Sequence, residues 1–369
     1  MKKVGFVGWR GMVGSVLMER MFEEDDFQYI EPYFFSTSSI GGTGPKISGK
    51  AHILKDARNN LELGEMDIIV TCQGGEYTKA VYHSLREKGW DGYWIDAASA
   101  LRMNEEACII LDPVNHKEIH SSIKEGCKLF VGGNCSITLS LIGLAGLFQA
   151  NLVEWMSLMT YQSASGAGAA SVRELIEQTR YLSNNLPGNL INNSSVLPLV
   201  QETTKLISSG ENPVSEFGAP LLGSVIPWID TDLGDGNSRE EWKGEVEANK
   251  ILGLPEGTIK VNGVCVRVGV VRCHSAAITI KLKRDLSDKE FSEIISNSNE
   301  WVEYVANSKT ETVHKLTPAA ITGTLKVGVG RFKKLGFNDE SIYSVFTVGD
   351  QLLWGAAEPL RRMLKILVA

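Results

Sequence analysis

The chain has 369 residues, 43% of them hydrophobic and 22% charged, the balance of a globular protein long enough for two cores. A net charge of −7 with no basic stripe excludes a general nucleic-acid or membrane-surface role, but leaves room for a local basic pocket that takes a small anion. The six cysteines form no CxxC pair and no metal-ligand spacing, no apolar stretch is long enough to span a bilayer, and no signal-peptide pattern opens the chain. A cytoplasmic protein with free thiols and no metal is expected.

In chain order, Lys3 to Val7 reads as a strand, followed by Gly8-Trp-Arg-Gly-Met-Val-Gly14 and a helix through Phe22. Tyr33 to Phe35 is a second strand, ending in Ser36-Thr-Ser-Ser39. Asp67 to Cys72 is a third, followed by Gln73-Gly-Gly75 and a helix to Lys88 that Gly89 stops. Further strands are expected at Tyr93–Ala97, Ala107–Leu111 and Lys128–Val131. These are short continuous apolar runs, as when helices cover both faces, and the alternation predicts a doubly wound parallel sheet.

Val131-Gly-Gly-Asn-Cys-Ser-Ile-Thr138 then ends a strand in a glycine turn and opens a helix at Cys135 that is apolar nearly all round. Beyond it the strands lengthen and alternate, as at Trp155–Tyr161, Cys265–Val271 and Ala276–Leu282, which predicts an antiparallel or mixed sheet in a second domain. A helix is expected at Ser171–Tyr181. The stretch from Tyr181 to Gly236, rich in Asn, Ser, Pro and Gly, reads as excursion loops. Asp350 to Leu367 carries a helical apolar stripe with a kink or break expected at Pro359.

Three segments suggest a dinucleotide. Gly5-Phe-Val-Gly8-Trp-Arg-Gly11-Met-Val-Gly14 lies between a strand and a helix, where glycines let the backbone approach a pyrophosphate; its spacing departs from GxGxxG, and glycines serving only a tight turn are the alternative. The second strand ends in hydroxyls where an NAD site places a carboxylate. With Arg10 they suit a 2′-phosphate, so NADP is expected, unless they simply make a polar turn. Gln162-Ser-Ala-Ser-Gly-Ala-Gly-Ala-Ala170 is small enough to pass close to a nicotinamide ring, or is a flexible connector.

Cys135, in the first turn of a buried helix, sits where free N–H groups and the helix dipole favour a thiolate nucleophile, although a buried cysteine also serves as a small hydrophobe. A nucleophilic cysteine needs a base, and among six histidines His274, beside a charged arginine on an apolar strand, is the best candidate. Arg267 and His274 are seven residues apart, so one straight strand would face them oppositely; a bulge at Gly269 is expected to bring them together. Ser238-Arg-Glu-Glu-Trp-Lys-Gly244 reads as a capped helix start.

Together these segments, with Thr71-Cys-Gln-Gly-Gly75, Trp94-Ile-Asp-Ala-Ala-Ser99 and Phe346-Thr-Val-Gly-Asp-Gln-Leu-Leu-Trp354, resemble the aspartate-semialdehyde dehydrogenase family, close to its enterobacterial type and over the whole chain. The resemblance implies a Rossmann-like NADP-binding domain at 1–133, to which 356–369 return. It also implies an α+β catalytic and dimerisation domain with a mixed sheet at 134–355, in a homodimer. The implied reaction is reduction of L-aspartyl 4-phosphate by NADPH to aspartate 4-semialdehyde through a Cys135 thioester, in lysine, threonine and methionine biosynthesis. His274 would be the acid/base partner and Gln162 would orient the substrate. Arg267 would pair with the α-carboxylate and Glu240 with the α-ammonium, while Arg102, Asn134 and Lys243 would take the phosphate. Gly8, Arg10, Gly11, Met12, Val13, Thr37, Ser38, Gln73, Ser165, Gly166 and Gln351 would contact NADP. The chain departs from the family pattern at Ser136, usually Thr, and at Ala167, within a run often all glycine.

Two other readings compete. An N-acetyl-γ-glutamyl-phosphate reductase shares the cysteine, histidine and acyl phosphate, but its acylated amine leaves no role for Glu240. A non-catalytic homologue would have lost some of Cys135, His274, Gln162, Arg267 or Lys243, and none is lost.

Overall fold

The computed structural model describes residues 1–192, 194–336 and 341–369. The strands β1 (Lys2–Val7) and β2 (Ile30–Ser36) are followed by a separate hairpin, β3 (Thr43–Ile47) with β4 (Lys50–Ile53). Then come β5 (Lys55–Asp56), β6 (Ile68–Thr71), β7 (Tyr93–Asp96), β8 (Ala107–Ile110) and β9 (Leu129–Gly132). Without the hairpin these form a seven-stranded sheet in the order β5-β2-β1-β6-β7-β9-β8. Every pairing in it is parallel, as the apolar runs predict. From β1 the chain goes first to one side and later to the other. A crevice therefore opens outside the ends of β1 and β6, at Gly8 and Gln73, the usual ligand position in such sheets.

The second sheet is mixed. Its strands are β10 (Val153–Gln162), β11 (Val225–Ile226), β12 (Lys260–Asn262), β13 (Cys265–Val268), β14 (Cys273–Leu282), β15 (Val302–Val305), β16 (Val327–Lys334) and β17 (Ile342–Asp350). They run in the order β11-β13-β10-β14-β17-β16-β15, with β12 also on β10. The helix Cys135–Gln149 starts where the first sheet ends and packs into the core of the second, where Leu141, Ile142, Leu144 and Leu147 are fully buried. Each such side chain stabilises the fold by roughly 2 kcal/mol, which anchors Cys135 between the two sheets.

One expectation needs correction, and two elements extend or bear out the expected pattern. A helix at Asp112–Lys124 stands between β8 and β9, where the sequence pattern assigned no element, and it fits the expected doubly wound alternation. The Tyr181–Gly236 region is not all loop: the helix begun at Ala169 runs to Asn185, and Gly188–Ile191 and Leu197–Ile207 are helical. The C-terminal stripe is divided at proline. Leu353–Ala357 makes a wide π turn, and a helix Glu358–Val368 follows with Pro359 in its first turn, where its missing N–H costs nothing. That last helix returns to the first sheet's core through Leu360, Met363 and Leu364. Arg361 ties it there through Asp26 at 2.8 Å, and is itself braced within the helix by Glu358 at 2.7 Å.

Candidate active site

Cys135 is the first residue of its helix, and Asn134 is the cap. The Asn134 Oδ1 accepts the N–H groups of Ser136 (3.0 Å) and Ile137 (3.2 Å), leaving the Cys135 N–H without a partner among the described residues. That changes the electrostatics expected from sequence. Two of the N–H groups that would stabilise a thiolate are already occupied, and burial, with Glu240 nearby, pushes the Cys135 thiol up to about 11. These effects favour the thiol over the thiolate that helix-start position alone suggests.

The second sheet supplies the partners. β10 ends at Gln162, paired with Arg267 of the parallel β13, and its other neighbour, the antiparallel β14, carries His274. Arg267 and His274 thus lie on different strands flanking β10, and no bulge on one strand is involved; residues 269–272 make the crossing. His274 Nε2 stands 3.1 Å from Cys135 Sγ. Its Nδ1 receives the Ser163 backbone N–H at 3.1 Å, so the neutral ring carries its proton on Nε2, toward sulfur. Burial and the Arg267 charge lower the imidazole to about 3. Gly166 allows this packing: a Cβ there would lie 2.9 Å from His274 Cε1 and 3.0 Å from Arg267 Nη1.

A third group comes from the helix Arg239–Ile251, which opens with a capping box between Ser238 and Glu241. In its first turn Glu240 accepts from Asn134 Nδ2 (2.8 Å), Gln162 Nε2 (3.2 Å) and Lys243 Nζ (3.2 Å). Lys243 also donates to Asp230 at 2.6 Å. Burial works against its ammonium, but the two carboxylates raise its pKa overall. Arg102, behind β7, donates to Glu247 (2.8 Å) and to the Gly132 carbonyl (2.7 Å).

Cys135, Gln162, Glu240, Arg267, Arg102, Asn134 and Lys243 line one cavity of about 420 Å³, together with Val13, Gly166 and Gln351. Its walls hold three cations, Arg102, Lys243 and Arg267, so a carboxylate and a phosphate could be gripped at separate points. A cleft of about 330 Å³ at the crevice is lined by Gly8, Arg10, Gly11, Thr37, Ser38 and Gln73. Three of the expected residues, His274, Ser165 and Met12, line neither. The Ser165 hydroxyl is buried on Gln351 Oε1 at 2.7 Å, and Met12 packs against the core of the first sheet. A further cavity of about 490 Å³ lies at the opposite end of the first sheet, near Arg86 and Lys128, and contains none of the expected site residues.

The cleft fits a dinucleotide. A Cβ at Gly8 would lie 2.6 Å from the Cys72–Gln73 backbone, and one at Gly14 would lie 2.2 Å from the Gly8 carbonyl, so the turn closes only with glycine. Arg10 crosses the end of β2, donating to Ser36 Oγ (3.0 Å) and Ser39 Oγ (3.2 Å), and no carboxylate lines the cleft.

Residues 3–122 match the family described as semialdehyde dehydrogenase, NAD binding domain, and residues 144–354 match semialdehyde dehydrogenase, dimerisation domain. Over the full length of both chains, the fold is similar to that of aspartate semialdehyde dehydrogenase from Francisella tularensis, at 45% identity and a TM-score of 0.95. The chain belongs to the aspartate-semialdehyde dehydrogenase family. Two more distant members share the fold. Aspartate semialdehyde dehydrogenase II from Vibrio cholerae, complexed with ASA, is 23% identical with a TM-score of 0.82, and the match covers 100% of this chain and 98% of that one. The Candida albicans enzyme with NADP is 15% identical with a TM-score of 0.65, over the same shares. In this member of the family, sequence reasoning passed over Asp230, Ser163 and Glu247. Glu247 had a signal: Glu240, Gly244, Glu247 and Ile251 form one buried helical stripe.

Proposed function

We propose that this family member, of the enterobacterial type, interconverts L-aspartyl 4-phosphate and L-aspartate 4-semialdehyde with NADP(H) and phosphate. The observation that carries this is the Cys135–His274 pair, 3.1 Å apart, beside a cavity whose cations and carboxylates complement those substrates. Arg267 takes the α-carboxylate, Glu240 the α-ammonium, and Gln162 holds the substrate between them. Arg102, Asn134 and Lys243 take the phosphate. The Cys135 thiol gives up its proton to solvent and the thiolate attacks the acyl-phosphate carbonyl; the unpartnered Cys135 N–H faces the developing oxyanion, which collapses to a thioester as phosphate leaves. His274 donates its Nε2–H as a hydrogen bond to the sulfur, favouring the thiolate both before attack and as it departs. NADPH, when bound, supplies the hydride that reduces the thioester. Gly8, Arg10, Gly11, Val13, Thr37, Ser38 and Gln73 would hold it from the first sheet, and Gly166 and Gln351 from the second, with Ser165 orienting Gln351.

Residues 1–133 with 356–369 would form the NADP-binding domain and 134–355 the catalytic and dimerisation domain. The outer face of the second sheet exposes Met159 and Tyr161, which suits a second copy of the chain in a homodimer. No described helix is long and apolar enough to cross a membrane, consistent with a cytoplasmic enzyme of lysine, threonine and methionine biosynthesis. A reductase for N-acetyl-γ-glutamyl phosphate is disfavoured by Glu240, a buried carboxylate placed where that substrate has no cation. The test is NADP reduction with aspartate semialdehyde, expected to require phosphate or arsenate. Turnover independent of either anion, or faster with N-acetylglutamate semialdehyde, would refute the proposal.

A further inference from the structure

Glu247 is 1% exposed, and both of its oxygens are engaged beside the cavity. Oε1 accepts from Arg102 Nη1 at 2.8 Å, and Oε2 accepts the backbone N–H of Asn134 at 2.6 Å. Arg102 is held on a second side by the Gly132 carbonyl, at 2.7 Å from Nε. Its remaining nitrogen, Nη2, has no partner among the described residues, and Arg102 lines the cavity next to Cys135. The other oxygen fixes the peptide before Asn134, whose side chain caps the Cys135 helix and reaches Glu240. A buried carboxylate is costly to desolvate, and here it also cancels the charge of a cation that faces an anion. Net attraction for phosphate is therefore not what it supplies. What it supplies is direction, because a guanidinium binds a phosphate well only when its free edge is aimed.

We propose that Glu247 is a positioning residue for the anion subsite, acting through Arg102 and Asn134 without touching substrate. This rests on the phosphate subsite proposed above. A glutamine can accept from Arg102 or from the Asn134 N–H, not from both, since its amide nitrogen only donates. Glu247→Asp keeps the buried charge balance but draws the carboxylate back, and so guards against a variant that fails to fold.

The experiment compares both variants with Glu245→Gln, a substitution on the outer side of the same helix, in the phosphate-dependent reaction. For Glu247→Gln or Glu247→Asp the KM for inorganic phosphate should rise about tenfold or more, while the KM for aspartate semialdehyde and the Kd for NADP stay within about twofold. In an Arg102→Gln background, Glu247→Gln should cost less than about threefold more, as expected of residues acting through one another. A second measurement needs no turnover: protection of Cys135 by inorganic phosphate against iodoacetamide should weaken about tenfold in the Glu247 variants. Absence of phosphate-dependent turnover in the wild type would overturn the proposed reaction, and the protection assay would still decide the role of Glu247. Unchanged phosphate KM and unchanged protection in a folded variant, or full additivity with Arg102→Gln, would overturn this assignment.

Discussion

The sulfur of Cys135 and Nε2 of His274 stand 3.1 Å apart, and the Ser163 N–H on the far side of the ring decides which of them carries the proton. With Nδ1 facing a donor, a doubly protonated ring would set two N–H groups against each other. Burial, with the Arg267 charge, lowers the imidazole to about 3, and burial, with Glu240 nearby, pushes the thiol up to about 11. Both shifts work against a thiolate–imidazolium pair.

A raised thiol pKa means that the thiolate fraction at neutral pH is small and grows about tenfold per pH unit up to that pKa. The rate of Cys135 alkylation by iodoacetamide in ligand-free protein should therefore climb continuously from pH 7 to pH 10. A rate already level near neutrality would show a preformed ion pair. Nitrogen NMR of labelled protein, with the His274 signal assigned by its loss in His274→Asn, should show a pyridine-like Nδ1 and a protonated Nε2.

Arg267→Lys should be damaging despite the retained charge. Arg267 Nη1 donates to the Ser163 carbonyl at 2.7 Å, which leaves the rest of the guanidinium for a carboxylate. A lysine cannot hold both with the same geometry. We expect kcat/KM for aspartate semialdehyde to fall on the order of 100-fold with NADP affinity little changed. Near-normal kinetics would take Arg267 out of the substrate site.

How far the sequence carried the fold depended on the range of each signal. The first sheet was legible because apolar runs and glycine turns are local features, and so was the Cys135 helix. The helix Asp112–Lys124 was not: it is weakly amphipathic and departs from helical geometry at Asn115. The pairing of Arg267 with His274 was legible as proximity but not as geometry, because strand alternation cannot report a chain that crosses over β10 between them. The thiol pKa was misjudged for a similar reason. The helix start is visible in sequence, whereas the occupation of its N–H groups by Asn134 is a three-dimensional fact. Glu247 shares a helical face with Glu240, Gly244 and Ile251, but only the fold shows that this face is buried.

Cofactor choice should rest on Arg10. Its guanidinium sits among Ser36, Ser38 and Ser39 at the end of β2, a cation with hydroxyls where an NAD site would present an acid. Arg10→Ala should raise the KM for NADP by about tenfold or more and leave that for NAD nearly unchanged. Equal losses with both cofactors would place Arg10 on a part of the dinucleotide that the two share.

Oxidation should strike Cys135 and not pass to its neighbour in space. Cys273 precedes His274 on β14, but it points to the other face, into a cluster with Val305, Leu316, Ile321 and Val348. Its thiol lies 3.1 Å from Thr322 Oγ1, and burial pushes it up to about 12. Hydrogen peroxide should therefore convert Cys135 to a sulfenic acid, faster as pH rises because only the thiolate reacts. Aspartate semialdehyde should protect by occupying the sulfur, and Cys273→Ala should be as sensitive as the wild type. A Cys135–Cys273 cross-link found by mass spectrometry, or resistance in the Cys273 variant, would require β14 to turn its buried face toward the cavity, a rearrangement that the packing around Cys273 opposes.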